Sequence, residues 1–143
     1  MLWLFDKRAS GAVEFLTIRP RLVDEIATEL AAQGLEQIVI LGAGFDTTSL
    51  RLRKQLQNVT IYEVDHPATQ AAKRKTLSRL GTPANVQFVA VDFEQDDFVE
   101  KLRAAGFDPT RRTLISWLGV TYYLTTAAMT RTLLRIGLCP PTR

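Results

Sequence analysis

The chain has 143 residues, 46% apolar and 23% charged, with one cysteine, one histidine and a net charge of +3. That length suits one domain with a real core, and the composition is that of an ordinary soluble globular protein. The lone Cys139 forms no internal disulfide, and without a Cys/His cluster there is no structural zinc site.

The basic clusters (Arg51, Arg53 and Lys54; Lys73, Arg74 and Lys75; Arg111 and Arg112) carry no interleaved aromatic residues. They read as solvated helix faces, so neither nucleic acid nor a membrane surface is an expected partner. The opening Met1-Leu-Trp-Leu-Phe-Asp6 is too short an apolar run for a signal peptide. No run approaches the ~20 apolar residues of a membrane span, which leaves cytoplasm as the default location.

In chain order, residues 1–18 show little organisation. A helix is predicted over 24–32, with Leu22, Val23, Ile26, Leu30 and Ala31 as an apolar stripe. Pro20 suits its entry, and Gly34 closes it. Strand one is about 37–41. Ile38-Val-Ile-Leu41 shows no alternation, as expected of a strand covered on both faces, and it ends in Gly42-Ala-Gly44. A helix over 47–56 follows, with Leu50, Leu52 and Leu56 as apolar positions.

Strand two, 59–64, leads into Asp65. His66-Pro67 opens a helix over 67–80, which Gly81 closes. Strand three, 86–91, ends in Asp92-Phe93, and a helix over 95–105 ends at Gly106. Strand four, 113–117, runs into Leu118-Gly-Val-Thr-Tyr-Tyr123. Thr125 reads as the N-cap of a last helix over 126–136. The alternation of strand and helix means an α/β fold, a doubly wound parallel sheet with helices on both faces.

In such sheets ligands bind beyond the carboxyl ends of the strands. Here those ends carry glycines, an acid, an acid with an aromatic, and an aromatic loop. Each has an ordinary reading: a tight turn, a solvated cap, rim packing. His66 reads as a helix-entry residue rather than a base. Arg19 and Arg21 precede the first helix, where its dipole disfavours cations, so one of them is expected to serve an anion.

The glycine turn lacks the third glycine of the dinucleotide fingerprint, since position 47 is threonine. Asp46 also places negative charge where a phosphate would sit. A cofactor without phosphates that carries a sulfonium and an ammonium, S-adenosylmethionine, suits that acid better. Asp65 would then take the ribose hydroxyls. Asp92 would accept from the adenine amino group, with Phe93 beside the ring. Arg19 could fork onto the methionine carboxylate.

Leu41-Gly-Ala-Gly-Phe-Asp-Thr47 with Arg51-Leu52, then Tyr62-Glu-Val-Asp-His-Pro-Ala-Thr-Gln70 with Lys73, Val91-Asp-Phe93 and Gly119-Val-Thr-Tyr-Tyr-Leu124 together resemble the leucine carboxyl methyltransferase family. The likeness is greatest to its bacterial branch of S-adenosylmethionine-dependent methyltransferases, and it runs from about Arg19 to Ile136. It implies a Rossmann-like sheet of the class I methyltransferase type, here of about four strands in the order 3-2-1-4. It also implies a short N-terminal segment (1–18), a cofactor-binding domain (19–138) and a tail (139–143).

The resemblance implies cofactor contacts from Arg19, Gly42, Asp65, Asp92 and Phe93, to which the reading of the glycine turn adds Ala43, Gly44 and Asp46; no catalytic residue is named. Leu118 stands where eukaryotic members carry a glutamate, so no cofactor role is assigned to it. The implied activity is methyl transfer to a carboxylate or hydroxyl of a small molecule or peptide. Family members are longer, with a seven-stranded sheet and a cap. The chain therefore reads as a truncated cofactor-binding part, whose open fourth-strand edge invites self-association. The rival expectations are a non-catalytic half-domain and a nicotinamide-binding oxidoreductase fragment.

Overall fold

The structure, a computed structural model, describes residues 12–137. The opening segment 1–11, Cys139 and the tail lie outside the described residues. The elements are α1 (Ala12–Ala32), β1 (Gln37–Leu41), α2 (Thr48–Arg51), β2 (Thr60–Asp65), α3 (Pro67–Leu77), β3 (Val86–Ala90), α4 (Phe98–Ala104), β4 (Thr113–Trp117) and α5 (Thr126–Gly137). A single 3-10 turn, Thr121–Tyr123, separates β4 from α5.

The four strands form one parallel sheet in the order β3-β2-β1-β4. The register sets Val39 beside Tyr62 and Ile115, so β1 lies between two neighbours. All five residues of β1 are buried, as the unbroken apolar run Ile38–Leu41 requires, and the buried Gln37 amide is satisfied by the Asp108 main chain.

The sheet separates two apolar layers. On one face Ala27, Leu35, Ile38, Ile40, Leu52, Leu56, Val59 and Ile61 pack together, with Leu30 and Ala31 of α1 against them. On the other face Val39, Leu41, Tyr62, Val64, Val89 and Val91 meet Phe93, Phe98, Val99, Leu102 and Phe107, with Ile136 of α5 alongside. Tyr62 and Phe107 make an edge-to-face pair at 5.8 Å. Strands β1 to β3 step one way across the sheet and β4 returns to the far side of β1. That reversal, beside the end of β1, is the topological switch point where open α/β sheets form a crevice.

Several boundaries differ from expectation. Helix α1 begins at Ala12 and runs without a break across residue 18, so Pro20 lies inside it rather than at its entry. The proline has no N–H for the carbonyl four residues back, a defect that the helix-forming residues on both sides outweigh. The α1 stripe also faces differently: Ala27, Leu30 and Ala31 reach the core, while Leu22 and Ile26 are exposed. The small Ala27 is fully buried in the layer under the sheet, and Leu22 and Ile26 face away from it.

The expected helix over 47–56 is one turn, after which the chain continues in turns that still bury Leu52 and Leu56. Helix α4 starts later than expected because Asp97 caps it, its carboxylate accepting from Val99 N–H at 3.0 Å.

Candidate functional site

The carboxyl end of β1 is joined to β2 beyond the last strand residue. Gly42 N–H and Ala43 N–H both donate to the Val64 carbonyl, at 2.7 and 3.0 Å. Gly42 then turns with φ +66°, and a Cβ placed there would lie 1.8 Å from Cγ2 of Val120. Only glycine lets the segment after β4 close onto this turn. Gly44 N–H donates to Oδ2 of Asp65 at 2.5 Å, while Oδ1 accepts from His66 N–H at 2.7 Å. The acid at the end of β2 is thus anchored against the glycine turn of β1.

Asp46 Oδ1 accepts from Thr48 N–H at 2.7 Å, which sets a carboxylate at the entry to α2. Three residues after Thr48, Arg51 reaches Asp24 of α1 through Nε at 2.9 Å and Nη2 at 2.8 Å, a two-pronged fork. That hydrogen bond, opposed by partial burial and reinforced by the charge of Asp24, raises the Arg51 pKa. The fork ties α1, and with it Arg19, to the element that follows the glycine turn.

Two adjoining cavities open along this edge. One, of about 270 Å³, is lined by Arg19, Pro20, Gly42, Ala43, Gly44, Phe45, Asp46, Ser116, Leu118 and Gly119. The other, of about 580 Å³, is lined by Asp65, His66, Asp92, Phe93, Tyr123 and others. Gly42, Gly44, Leu118 and Gly119 border both, so the two form one crevice bent over the glycine turn. All eight expected cofactor-contacting residues line it. The first chamber has a guanidinium and a carboxylate; the second has acids beside an aromatic ring.

The wall of the larger chamber is held from below. Glu94 accepts from the N–H and hydroxyl of Thr125, each at 2.9 Å, and Arg131 donates to the carbonyls of Phe93 and Glu94. Thr125 in turn caps α5 by accepting from Ala128 N–H at 3.2 Å, as expected. Phe93 is buried against Phe98 with ring centroids 6.1 Å apart. Asp92 is more engaged than the sequence suggests: Oδ1 accepts from Glu94 N–H and Oδ2 from the Gln95 amide. His66 caps α3, its Nδ1 accepting from Ala68 N–H at 3.3 Å, in keeping with its reading as a helix-entry residue.

Beneath the crevice lies a charged pair that sequence reasoning missed. Glu63 is 1% exposed, and its Oε2 lies 2.5 Å from Nζ of Lys73, itself 4% exposed. Ser49 Oγ donates to Glu63 Oε1 at 3.0 Å. Burial raises the Glu63 pKa, and the Lys73 ammonium opposes that rise. Lys73 therefore departs from the solvated face assigned to its cluster. Two signals marked it: a glutamate inside an otherwise buried strand needs a partner, and Gln70, Lys73 and Leu77 share one helical face.

Other residues missed at the site are Leu118, which borders both chambers, and Val120, which locks the turn. Among the described residues no group of three or more His, Cys, Asp or Glu could hold a metal ion, and no helix is long and apolar enough to cross a membrane.

A parallel α/β sheet with a glycine turn at its switch point, an acid at the next strand end and a two-chambered crevice defines a Rossmann-like α/β domain. The leucine carboxyl methyltransferase profile matches residues 5–137, and the chain belongs to that family. A protein of Frankia alni named "Putative S-adenosyl-L-methionine-dependent methyltransferase" is 39% identical over 124 residues, covering 85% of this chain and 40% of the relative. A protein of Mycolicibacterium paratuberculosis with the same name is 38% identical over 130 residues, covering 90% of this chain and 41% of the relative. One of Bacillus subtilis, similarly named, is 42% identical over 94 residues, covering 64% of this chain and 31% of its own length.

The chain thus spans about two fifths of the length of the first two relatives. The crystal structure of EvdMO1 superposes with a TM-score of 0.53 at 19% identity, covering 81% of this chain and 25% of that one, a likeness of fold.

Proposed function

We propose that the crevice binds S-adenosyl-L-methionine, and that the protein transfers its methyl group to a carboxylate or hydroxyl oxygen of a small molecule or peptide. The observation that carries this reading is the placing of two carboxylates, Asp46 and Asp65, on either side of the Gly42–Gly44 turn. A pyrophosphate at the entry to α2 would meet the Asp46 carboxylate. A cofactor with cationic sulfur and nitrogen and no phosphate meets no such repulsion.

The residues present fit that group. Asp65 would take the ribose hydroxyls with the acceptor capacity left after its two backbone bonds. Phe93 would flank the adenine, and Asp92 would accept from its amino group. Arg19 would pair with the methionine carboxylate, and Gly42, Ala43 and Gly44 would admit the ligand close to the main chain. When bound, the cofactor supplies an electrophilic methyl. The chain's own contribution is to hold that end of the ligand fixed, since alignment of nucleophile and methyl is what such a transfer most needs. A carboxylate acceptor needs no general base. Leu118 presents an apolar side chain at the junction of the two chambers.

The family and the names of the relatives support this reading. A cytoplasmic setting and self-association along the β4 edge belong to the same proposal. Titration calorimetry of the chain with S-adenosylhomocysteine and with NAD tests the cofactor. Binding of the first and not the second supports it, and heat with NAD alone sinks it. A thermal shift without any response to S-adenosylhomocysteine would favour a half-domain that no longer binds.

A further inference from the structure

The Glu63–Lys73 pair is an expensive way to fill a core. Each buried ion costs several kcal/mol of hydration, and apolar residues of the same volume often serve stability as well or better. This pair is also incompletely satisfied: beyond their mutual contact, neither Glu63 Oε2 nor Lys73 Nζ has a hydrogen-bond partner among the described residues. Stability alone gives no reason for it.

Its position does. Glu63 lies two residues before Asp65 on β2, hence on the same face of the sheet. Ser49 belongs to the single turn of α2, immediately after the glycine turn and Asp46. Lys73 belongs to α3, which starts at the residues that follow Asp65. Gln70 of α3 adds a bond to the Glu63 carbonyl at 3.2 Å. One carboxylate on β2 thus ties the strand that carries Asp65 to α2, which follows the glycine turn, and to α3, which follows Asp65. Apolar contacts would tolerate sliding between these elements; directional bonds to one buried carboxylate do not.

We propose that Glu63, with Lys73 and Ser49, is a positioning group that fixes the Gly42–Asp46 turn against Asp65. It touches no ligand itself. The proposal concerns the geometry of the crevice, and it extends to cofactor affinity only through the reading given above.

Amide hydrogen exchange by NMR on the full chain, without ligand, tests it. The double variant Glu63→Leu/Lys73→Met replaces the pair with apolar side chains of similar size. The expected result is exchange about 10-fold faster or more at Gly44 and Thr48, whose amides bond to Asp65 and Asp46, with Val39 and Val64 in the sheet unchanged. Wild-type exchange at Gly44 and Thr48 in the folded double variant overturns the proposal.

If the double variant does not fold, Ser49→Ala, which leaves the ion pair in place, decides the matter. Faster exchange at Thr48 upholds the proposal, and unchanged exchange overturns it. In parallel, the folded double variant is expected to bind S-adenosylhomocysteine about 5-fold more weakly or worse at an unchanged melting temperature. Failure of the wild-type chain to bind would overturn the cofactor reading, and the exchange result would still decide the role of Glu63.

Discussion

The amide of Gly44 donates to the carboxylate of Asp65 at 2.5 Å, joining residues 21 positions apart. This one bond brings the end of β1 and the end of β2 into a single surface. It also orients the acid: with Oδ2 on Gly44 and Oδ1 on His66, the remaining lone pairs are those available to the larger chamber.

Asp65→Ala removes both the anchor and the acceptor. Binding of S-adenosylhomocysteine is expected to weaken by about 1–3 kcal/mol, the range for a lost hydrogen bond to a charged group. Calorimetry on a variant with wild-type circular dichroism measures it. Unchanged affinity would remove Asp65 from the site.

Gly42→Ala is expected to be severe. The new methyl would meet Val120 Cγ2 at 1.8 Å on a backbone with φ +66°. Overpacking of this kind costs about 1–3 kcal/mol, with further strain from the left-handed conformation. Adding Val120→Ala removes much of the steric part and leaves the backbone part. Denaturant unfolding of the two singles and the double is therefore expected to show the double recovering some, not all, of the lost stability.

Arg19→Ala separates the two ends of the crevice. Arg19 lines the smaller chamber and not the larger. The substitution is expected to weaken binding of S-adenosylhomocysteine by about 1.5–3 kcal/mol through loss of its carboxylate partner, and to leave adenosine binding unchanged. Equal losses for both ligands would place Arg19 in a general structural role instead.

Lys73→Met leaves Glu63 buried without its ammonium, and a broken buried pair costs about 3–5 kcal/mol. The pH dependence has a definite sign. Burial raises the Glu63 pKa in the folded chain above its unfolded value, and Lys73 restrains that rise. In the window between those two values the folded state binds more protons than the unfolded, so stability falls as pH rises through it. Without Lys73 the folded value climbs and the window extends upward. The stability deficit of Lys73→Met is thus expected to shrink on acidification from about pH 8 to about pH 5, as read by denaturant unfolding at each pH.

The strand ends were legible because each is marked by two cues at once. The mostly β-branched run 38–41 meets Gly42, and Val59–Val64 meets Asp65, so apolar pattern and turn chemistry agree. What was not legible depended on tertiary partners. Taken alone, the run of three cations around Lys73 reads as surface, and it is Glu63 on the neighbouring strand that draws Lys73 inward. Pro20 looks like a helix start, yet α1 continues through it. Leu22 and Ile26 have core-like spacing, but Ala27 is the residue buried in the layer under the sheet, and they face away from it. The contact between Gly42 and Val120 joins segments that no local pattern connects.

The most direct test of the central claim is titration calorimetry of the wild-type chain with S-adenosylhomocysteine and, separately, NAD. Saturable binding of S-adenosylhomocysteine at one site, strongly weakened in Asp65→Ala, is expected, with no heat from NAD. Saturable heat with NAD and none with S-adenosylhomocysteine would contradict it.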